Sequence, residues 1–232
     1  MNKLSIIIPA YNEEKTILKI LEKIHSEKKN TAKYEIIVIN DCSTDTTLEV
    51  LKNCKSLYHI LITNEKNMGK GYCVKKGINV ATGDYVIFQD ADLEYDPIEF
   101  NKFINVINQF EPDLIIGSRL KFSDYSRSHN FLNLVGNKII TLCFNICNNC
   151  TFTDIYSCYV CFKKKFLNPE DLKTHGFEQQ AELLGKIIKI TKKNYEIPIN
   201  YNGRTIEEGK KIRWYNIFFV IYQIFKTRLL NK

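Results

Sequence analysis

Residues 85–94 read Tyr85-Val86-Ile87-Phe88-Gln89-Asp90-Ala91-Asp92-Leu93-Glu94, an apolar run followed at once by acidic side chains. The apolar run is typical of a buried strand. Asp90 and Asp92 are therefore predicted to project from the carboxyl end of a strand, into the crevice where open α/β sheets bind ligands. Two like charges this close repel each other unless a proton or a cation neutralises them. Oxygen ligands suit Mg²⁺ and Mn²⁺, so the pair indicates a metal site, although a solvated loop could carry the same residues.

The flanking sequence alternates between strands and helices. Apolar runs predict further strands over residues 4–9, 35–39, 58–62 and 113–116. Apolar residues at helical spacing predict a first helix that begins at residue 12 or 13. Further helices are predicted over residues 47–54, 71–81 and 99–110. This alternation favours an α/β fold with a doubly wound, mostly parallel sheet flanked by helices. The second half is less regular: helices are predicted over 131–146 and 181–190, a strand over 195–199, and a strand or loop over 158–161.

Polar residues follow three of the predicted strands: Pro9, Tyr11 and Glu13 follow the first, Asp41 the second, and Asp90 and Asp92 the fourth. Each group alone is compatible with ordinary turn chemistry. Together, on successive strand ends, they favour a nucleotide-diphosphate site. In such a site Asp41 would accept a hydrogen bond from a base, Tyr11 would pack on the ring, and Asp92 with a metal ion would hold the pyrophosphate.

A glycine-containing loop, Gly69-Lys70-Gly71, precedes the third helix. It does not match the G-x-x-x-x-G-K-[ST] phosphate loop, and no G-x-G-x-x-G follows the first strand. These absences from the sequence argue against P-loop ATPases and nicotinamide enzymes. Lys70 is predicted to offer a cation to a phosphate, with glycines that let the backbone approach a ligand.

The net charge of +7 is concentrated near the carboxyl end of the chain. Residues 186–232 contain eleven Lys or Arg and three Glu, which makes +8 and leaves −1 for the remainder. Such a segment favours an anionic partner, or it forms a merely solvated basic face. No apolar run approaches the roughly 20 residues that span a bilayer, and residues 1–4 do not resemble a signal peptide. We therefore expect a cytoplasmic location.

Eight cysteines require an interpretation, because Cys147-x-x-Cys150 and Cys158-x-x-Cys161 are separated by seven residues. Paired C-x-x-C motifs are typical of structural zinc sites. Cys143 and Cys147, however, belong to an apolar helical pattern. Buried free thiols in a reducing cytosol are the favoured interpretation, and zinc remains an alternative.

Five motifs occur in order along the chain: Ile8-Pro9-Ala10-Tyr11-Asn12-Glu13-Glu14, Asn40-Asp41-Cys42-Ser43-Thr44-Asp45, Asn67-Met68-Gly69-Lys70-Gly71, Asp90-Ala91-Asp92 and Gly117-Ser118-Arg119. The second half adds Thr153-Asp154 with Cys158-Tyr159, then Tyr201-Asn202-Gly203-Arg204. With these motifs, residues 4 to about 228 resemble a family 2 glycosyltransferase of the GT-A fold. The resemblance is strongest to the dolichol-phosphate mannose synthases and the polyprenyl-phosphate hexosyltransferases.

The resemblance implies roles for individual residues. Pro9, Tyr11, Glu13, Asp41, Lys70 and Asp90 match nucleotide-binding positions, and Asp90, Asp92 and Glu94 match a Mg²⁺ or Mn²⁺ site. Asp92, Arg119 and Arg204 match catalytic positions, and Arg119, Arg127, Arg204 and Lys210 are implied to bind the acceptor phosphate. The chain departs from the family pattern at Asn40, Cys42 and Val160, which leaves the details of acceptor binding open.

The implied reaction is inverting transfer of a hexose from a nucleotide-sugar, of GDP-mannose or UDP-glucose type, to polyprenyl or dolichyl phosphate. A phosphate monoester is already anionic, so it needs no general base, whereas a sugar hydroxyl needs a carboxylate within hydrogen-bond reach. Hydroxyl-glycosylating relatives usually carry a Glu-Asp pair where this chain has residues 177–182, and Glu178 or Glu182 would have to replace it. Transfer to a carbohydrate hydroxyl, and a non-catalytic nucleotide-sugar-binding protein, remain alternatives.

The expected organisation is one domain over residues 1–232. Residues 1–120 would bind the nucleotide-sugar, 121–211 the acceptor, and 212–232 would form an amphipathic helix on a membrane surface. Anionic lipids of the cytoplasmic leaflet would attract its basic residues, which makes the protein peripheral on that face. A core or dimer helix is the alternative for this segment. Nucleic acid is not an expected partner, and the oligomeric state is left open.

Overall fold

The computed structural model describes residues 2–27, 33–121, 123–125, 127, 131–203 and 216–229. Its first elements are β1 (Lys3–Ala10), α1 (Ile17–Glu27), β2 (Lys33–Asn40), α2 (Thr47–Asn53), β3 (Ile60–Thr63), α3 (Lys70–Val80) and β4 (Tyr85–Phe88). The chain continues with α4 (Phe100–Phe110), β5 (Leu114–Ser118), α5 (Phe131–Asn148), β6 (Val160–Lys163), α6 (Gln179–Ile188), β7 (Asn194–Pro198) and α7 (Asn216–Leu229).

Within the described residues the strands form a seven-stranded sheet of order β3-β2-β1-β4-β6-β5-β7. Strand β1 pairs in parallel with β2 and β4, β2 with β3, and β5 with β7. Only β6 in this sheet runs antiparallel to its neighbours, β4 and β5. The predicted α/β class with a mostly parallel sheet is confirmed. Strand β6 separates β4 from β5, which are successive strands along the chain, and the alternation of elements gave no indication of this insertion.

The sheet is buried on both faces in its centre. The isoleucines of β1 and β2 are fully buried, as expected of parallel strands that have helices on either side. Helix α1 covers the sheet with Ile17, Ile20 and Leu21, which are all fully buried. Helix α3 approaches β1 closely because Gly77 lies against the side chain of Ile7, where a Cβ would not fit. Close packing of this kind makes the strand ends a rigid support for the loops that follow them.

Helix α1 begins at Ile17, so the predicted start at residue 12 or 13 was too early. Residues 12–16 instead form a turn, in which Asn12 has a positive φ of 55°. The Asn12 side chain contacts Thr44, and the Glu14 carboxylate accepts hydrogen bonds from the backbone and hydroxyl of Thr46. These contacts across two strand-end loops outweigh the local tendency to extend the helix.

Helices α5, α6 and α7 pack against one another beside the sheet. Gly185 of α6 lies where a Cβ would be 2.9 Å from the Cγ2 atom of Thr227, so α6 and α7 approach closely. Val220, Ile224 and Thr227 form the buried face of α7, and Phe218, Phe219 and Tyr222 are exposed. The predicted C-terminal helix is thus present, with one face in the core. None of the helices in the described ranges is long and apolar enough to cross a membrane.

Candidate active site

A cavity of about 830 Å³ opens at the carboxyl ends of β1, β2, β4 and β5. Nine of the residues predicted from the sequence line it: Pro9, Tyr11, Glu13, Asp41, Lys70, Asp90, Asp92, Glu94 and Arg119. They come from four strand ends and from the first turn of α3, so the sheet topology brings together positions up to 110 residues apart in the chain. Their individual roles remain predictions.

Asp41 supports the loop that precedes α3. Its Oδ1 atom accepts hydrogen bonds from the Asn64 side chain at 2.7 Å and from the Met68 backbone at 2.9 Å. Its Oδ2 atom accepts one from the Gly69 backbone at 2.8 Å. The residue is only 3% exposed. Both oxygens of Asp41 thus bind the protein itself, and the predicted hydrogen bond to a nucleotide base stays a prediction.

Two glycines in this loop are required by its geometry. Gly69 has a φ of 88°, which is accessible mainly to glycine. A Cβ on Gly71 would lie 2.6 Å from the carbonyl oxygen of His175, the same atom that accepts a hydrogen bond from the Gly71 backbone. The loop over residues 172–178 therefore packs directly on the first turn of α3. This packing sets the position of the Lys70 backbone between the two glycines.

Lys70 forms an ion pair with Asp90, with 2.5 Å between Nζ and Oδ1. Burial by itself would lower the pKa of Lys70, but the neighbouring Asp90 carboxylate raises the pKa above its ordinary value, so Lys70 is cationic. Cys158 lies beside this pair, and burial followed by the Asp90 charge raises the pKa of its thiol well above the usual range. The Cys158 thiol is therefore uncharged and does not compete with Asp90 for the Lys70 cation.

The carboxylates that follow β4 are also arranged by their own loop. The Asp92 Oδ1 atom accepts a hydrogen bond from the Glu94 backbone at 3.1 Å, across Leu93, which has a positive φ of 64°. The Glu94 carboxylate accepts a hydrogen bond from the Tyr201 hydroxyl at 2.7 Å. Asp90, Asp92 and Glu94 therefore reach the same cavity with different partners.

The described residues contain no group of three or more His, Cys, Asp or Glu side chains close enough to hold a metal ion. This applies to Asp90, Asp92 and Glu94 as well as to the cysteines, for which zinc was the alternative interpretation. Mg²⁺ is usually bound by only one or two carboxylates, with water and substrate phosphates completing the octahedron. Asp90 and Asp92 supply oxygen donors of this type to one cavity, and so they fit a metal ion that is shared with a diphosphate.

Arg119, which follows β5, is fixed by a carboxylate behind the cavity wall. Its Nε atom donates to the Oδ2 atom of Asp154 at 2.7 Å, and its Nη2 atom donates to Oδ1 at 2.9 Å. Asp154 is fully buried, and although burial alone would raise its pKa, the Arg119 charge lowers it. The guanidinium also lies over the Tyr201 ring, 5.1 Å from the ring centroid. The plane of this cation is therefore set before any ligand binds.

The other predicted basic residues are placed differently. Arg127 is exposed and is not part of the cavity lining, and its Nη1 atom donates to the carbonyl oxygen of Gly203 at 2.9 Å. Arg204 and Lys210 lie outside the described residues. Their predicted roles in binding the acceptor and in catalysis remain predictions.

The part of the cavity lining that comes from α5 and its neighbours is largely apolar. We call it the α5 wall; it consists of Leu132, Asn133, Leu134, Val135, Gly136, Asn137, Ile139, Ile140, Tyr156, Phe177, Gln180 and Ile217. No member of this described set carries a carboxylate. The two ring centroids of Tyr156 and Phe177 are 4.6 Å apart, and the Gln180 amide donates to the carbonyl oxygens of Ile155 and Ser157 at 2.7 Å. The sequence predictions did not include these residues in the site.

Neither glutamate of the segment 177–182 lines the cavity. Glu182 is 2% exposed, and its carboxylate accepts hydrogen bonds from the backbones of Lys173 and Thr174 and from the Thr174 hydroxyl. The Glu178 carboxylate lies against Gly176. Glu182 thus supports the 172–178 loop and does not face the cavity.

Comparisons with known proteins agree with this architecture. The profile of the family described as "Glycosyl transferase family 2" matches residues 5–166. The low-salt glycan biosynthesis hexosyltransferase Agl6 of Haloferax volcanii is 27% identical over 225 residues, which cover 94% of this chain and 53% of that protein. The dolichol-phosphate mannosyltransferase of Pyrococcus furiosus is 28% identical over 215 residues, or 90% of this chain and 60% of that protein. The chain spans little more than half the length of these relatives.

Among solved structures, glucosyl-3-phosphoglycerate synthase from Mycobacterium tuberculosis shares the fold. Its crystal structure in complex with Mn²⁺, uridine diphosphate and glucosyl-3-phosphoglycerate superimposes with a TM-score of 0.72 at 18% identity. The match covers 98% of this chain and 80% of that chain. This similarity of fold extends through the second half of the chain and confirms the expected GT-A type architecture.

Proposed function

Because the chain belongs to glycosyl transferase family 2, we propose that it is an inverting hexosyltransferase whose acceptor is a polyprenyl phosphate. The donor would be a nucleotide-sugar of the GDP-mannose or UDP-glucose type, bound with Mg²⁺ or Mn²⁺. The names of the relatives support a lipid-phosphate acceptor, since one is a dolichol-phosphate mannosyltransferase. Another is the undecaprenyl-phosphate 4-deoxy-4-formamido-L-arabinose transferase of Proteus mirabilis, which is 36% identical over 108 residues, or 45% of this chain and 33% of that protein.

The composition of the α5 wall carries this proposal. All carboxylates of the described cavity lining, namely Glu13, Asp41, Asp90, Asp92 and Glu94, stand on the strand-end side. The α5 wall offers apolar side chains and three amides, those of Asn133, Asn137 and Gln180, and Arg119 lines the same cavity. A sugar hydroxyl needs a base where it attacks, and this wall supplies none. A prenyl phosphate needs a cation for its head and an apolar surface for its chain, and both are available.

The chemistry asked of the protein is then mainly positioning. An oxygen of the acceptor phosphate forms a bond to C1 of the sugar, while the bond from C1 to the nucleoside diphosphate breaks, so the configuration at C1 inverts. No proton has to be removed from the phosphate at neutral pH. Arg119 would orient the attacking phosphate, and Lys70 would face the departing diphosphate with its cation. A metal ion bound at Asp90 and Asp92 would supply further positive charge for that leaving group.

The exposed surface next to the α5 wall supports a membrane-bound acceptor. Helix α5 exposes Phe131, Leu132, Leu142 and Ile146, which are 59–76% accessible. Helix α7 packs beside α5 and exposes Phe218, Phe219 and Tyr222, with Lys226 and Arg228 in its last turn. Aromatic and basic residues on one face are typical of helices that lie in a membrane interface. We propose that this face rests on the cytoplasmic leaflet and presents the cavity to the lipid head group.

The proposal is tested by transfer of radiolabelled sugar from UDP-glucose or GDP-mannose to polyprenyl phosphate, with and without EDTA. The expected result is an organic-extractable product from one donor, abolished by EDTA and by Asp92→Ala. Glu178→Gln is the matched control, because it also removes a carboxylate but lies outside the cavity lining. It should retain transfer within about threefold, since no general base is needed.

Two results would contradict the proposal. Transfer to an oligosaccharide hydroxyl that is lost in Glu178→Gln would identify a base-dependent enzyme of the same family. Nucleotide-sugar binding with neither transfer nor hydrolysis, for both donors and in the presence of Mn²⁺, would indicate the non-catalytic alternative.

A further inference from the structure

The Arg119 guanidinium lies in the middle of a chain of contacts that runs from α5 to the acidic loop after β4. We infer that Asp154 and Asn137 are positioning residues, which orient Arg119 toward the acceptor and connect it to α5. The inference rests on the proposed transferase activity, but it does not depend on which acceptor the enzyme uses.

Asp154 contacts Arg119 in a way that fixes orientation as well as position. Besides the two side-chain bonds, the Arg119 backbone N–H donates to the Asp154 Oδ2 atom at 3.1 Å, and the Nη2 atom also donates to the Tyr156 carbonyl at 3.1 Å. A bidentate pair constrains the guanidinium plane, which a single charge contact would not do. Asp154 itself is absent from the cavity lining, so it acts on a ligand through the residues that it binds there.

The energetics of the pair favour a functional role. A buried ion pair is weak evidence for stability, because the desolvation of both charges offsets their attraction. Here the Asp154 side chain is fully buried while the Arg119 side chain remains 16% exposed and lines the cavity. The opposite face of the guanidinium is covered by the Tyr201 ring. A cation held in this way is pre-organised for an anion in the cavity that it lines.

Asn137 links the same carboxylate to α5. Its Nδ2 atom donates to the Asp154 Oδ1 atom at 2.8 Å, and its Oδ1 atom accepts from the Thr141 hydroxyl at 3.3 Å. Asn137 also belongs to the α5 wall. The helix that forms the apolar side of the cavity and the cation that would hold the acceptor phosphate therefore share one anchor. A shift of α5 would change the orientation of Arg119.

Tyr201 extends the connection toward the donor side. Its ring lies under Arg119, and its hydroxyl donates to Glu94. The contacts run without a break from Asn137 through Asp154, Arg119 and Tyr201 to the loop that contains Asp92.

The test is a double-mutant cycle of Asp154→Asn and Arg119→Ala, in which kcat and both KM values are measured. We expect Asp154→Asn to lower kcat/KM for the acceptor by about 100-fold, the cost of a misplaced positioning group, while the donor KM changes less than about threefold. When Asp154→Asn is added to Arg119→Ala, kcat/KM for the acceptor should fall by less than about a further threefold. Glu182→Gln is the control, because it alters an equally buried carboxylate outside this chain of contacts.

The inference would be overturned if the two substitutions lowered kcat/KM for the acceptor independently, so that the double variant showed the product of the two single losses. It would also be overturned if Asp154→Asn changed only the KM for the donor. If Asp154→Asn does not fold, Asn137→Ala replaces it, since this half-buried residue has a single bond to the carboxylate. That variant should raise the acceptor KM about tenfold, and only when Arg119 is present. If the wild type uses a hydroxyl acceptor, the proposed function fails, and the cycle with that acceptor still tests the inference.

Discussion

Asp41→Asn tests whether the carboxylate at the end of β2 serves the protein or a nucleotide base. In the wild type, Oδ1 accepts two hydrogen bonds and Oδ2 accepts one, from the Gly69 backbone. An asparagine whose oxygen takes the Oδ1 position places an N–H₂ group against the Gly69 N–H, and two donors cannot bond each other. A buried hydrogen bond to a charged group is worth about 1.5–3 kcal/mol. We therefore expect the free energy of unfolding to fall by about 2 kcal/mol.

The measurement is urea unfolding of the ligand-free protein, monitored by far-UV circular dichroism. The dependence of the free energy of unfolding on urea concentration should be the same as in the wild type. For a chain of this size, about 2 kcal/mol corresponds to a decrease in Tm of roughly 4–8 °C. Titration with UDP and GDP of the same samples gives the nucleotide affinity. The nucleotide affinity should also fall, because the loop that Asp41 supports leads directly into Lys70, which lines the cavity.

Asp45→Asn is the matched control. It makes the same chemical change four residues later, where the carboxylate accepts hydrogen bonds from the backbones of Thr47 and Glu14, is partly exposed and does not line the cavity. Because water can replace a partner there, its loss should stay below about 1 kcal/mol. The reasoning is refuted if the free energy of unfolding of Asp41→Asn lies within about 0.5 kcal/mol of the wild-type value while its nucleotide affinity falls tenfold. Asp41 would then serve the nucleotide and not the loop.

Three further predictions concern the sheet, the ion pair and the glycine loop. Burial alone would raise the pKa of Glu35, but its hydrogen bonds lower it to about 2 from 4.5. Its contribution to stability should therefore be complete above pH 4.5 and disappear toward pH 2; a Glu35→Gln difference in unfolding free energy that is constant across this range would contradict this. Lys70→Met removes the cation from Asp90, so Mn²⁺ should bind the ligand-free protein about tenfold more tightly. Electron paramagnetic resonance measures this binding, and unchanged or weaker binding would contradict the prediction. Gly71→Ala should cost about 1–3 kcal/mol in thermal unfolding, because its Cβ meets a carbonyl oxygen at 2.6 Å. Gly136→Ala, whose nearest contact would be 3.6 Å, should be neutral or slightly stabilising.

Much of the first half of the fold could be predicted because its signals are local. The buried strands over residues 4–9 and 35–39 are continuous apolar runs, and α4 shows clear helical spacing. For β6 the sequence left a strand and a loop open over residues 158–161, because Val160–Lys163 is only four residues long and pairs with strands that lie far away in the chain. Its direction depends on the path of the chain through α5, about which no local pattern carries information.

The candidate site divides in the same way. Asp90 and Asp92 were identified by their position after an apolar run, and both line the cavity. Asp154 was noticed as part of a motif without a role, although its charge is the partner of Arg119. Asn137 is one of four asparagines in the apolar pattern of α5, and nothing distinguished it from the other three. Nothing in the sequence indicated that this amide would reach Asp154.

The sequence by itself determined the class of fold, the strand ends that carry the polar residues, and the resemblance to a glycosyltransferase family. These follow from the periods of strands and helices and from short motifs, which need only neighbouring residues. The tertiary structure alone decided that Asp41 supports a loop, that Asp154 orients Arg119, and that α5 and α7 form an apolar wall without a carboxylate. A hydrogen-bond partner or a cavity wall is chosen among groups distant in the chain, and only packing brings these groups together.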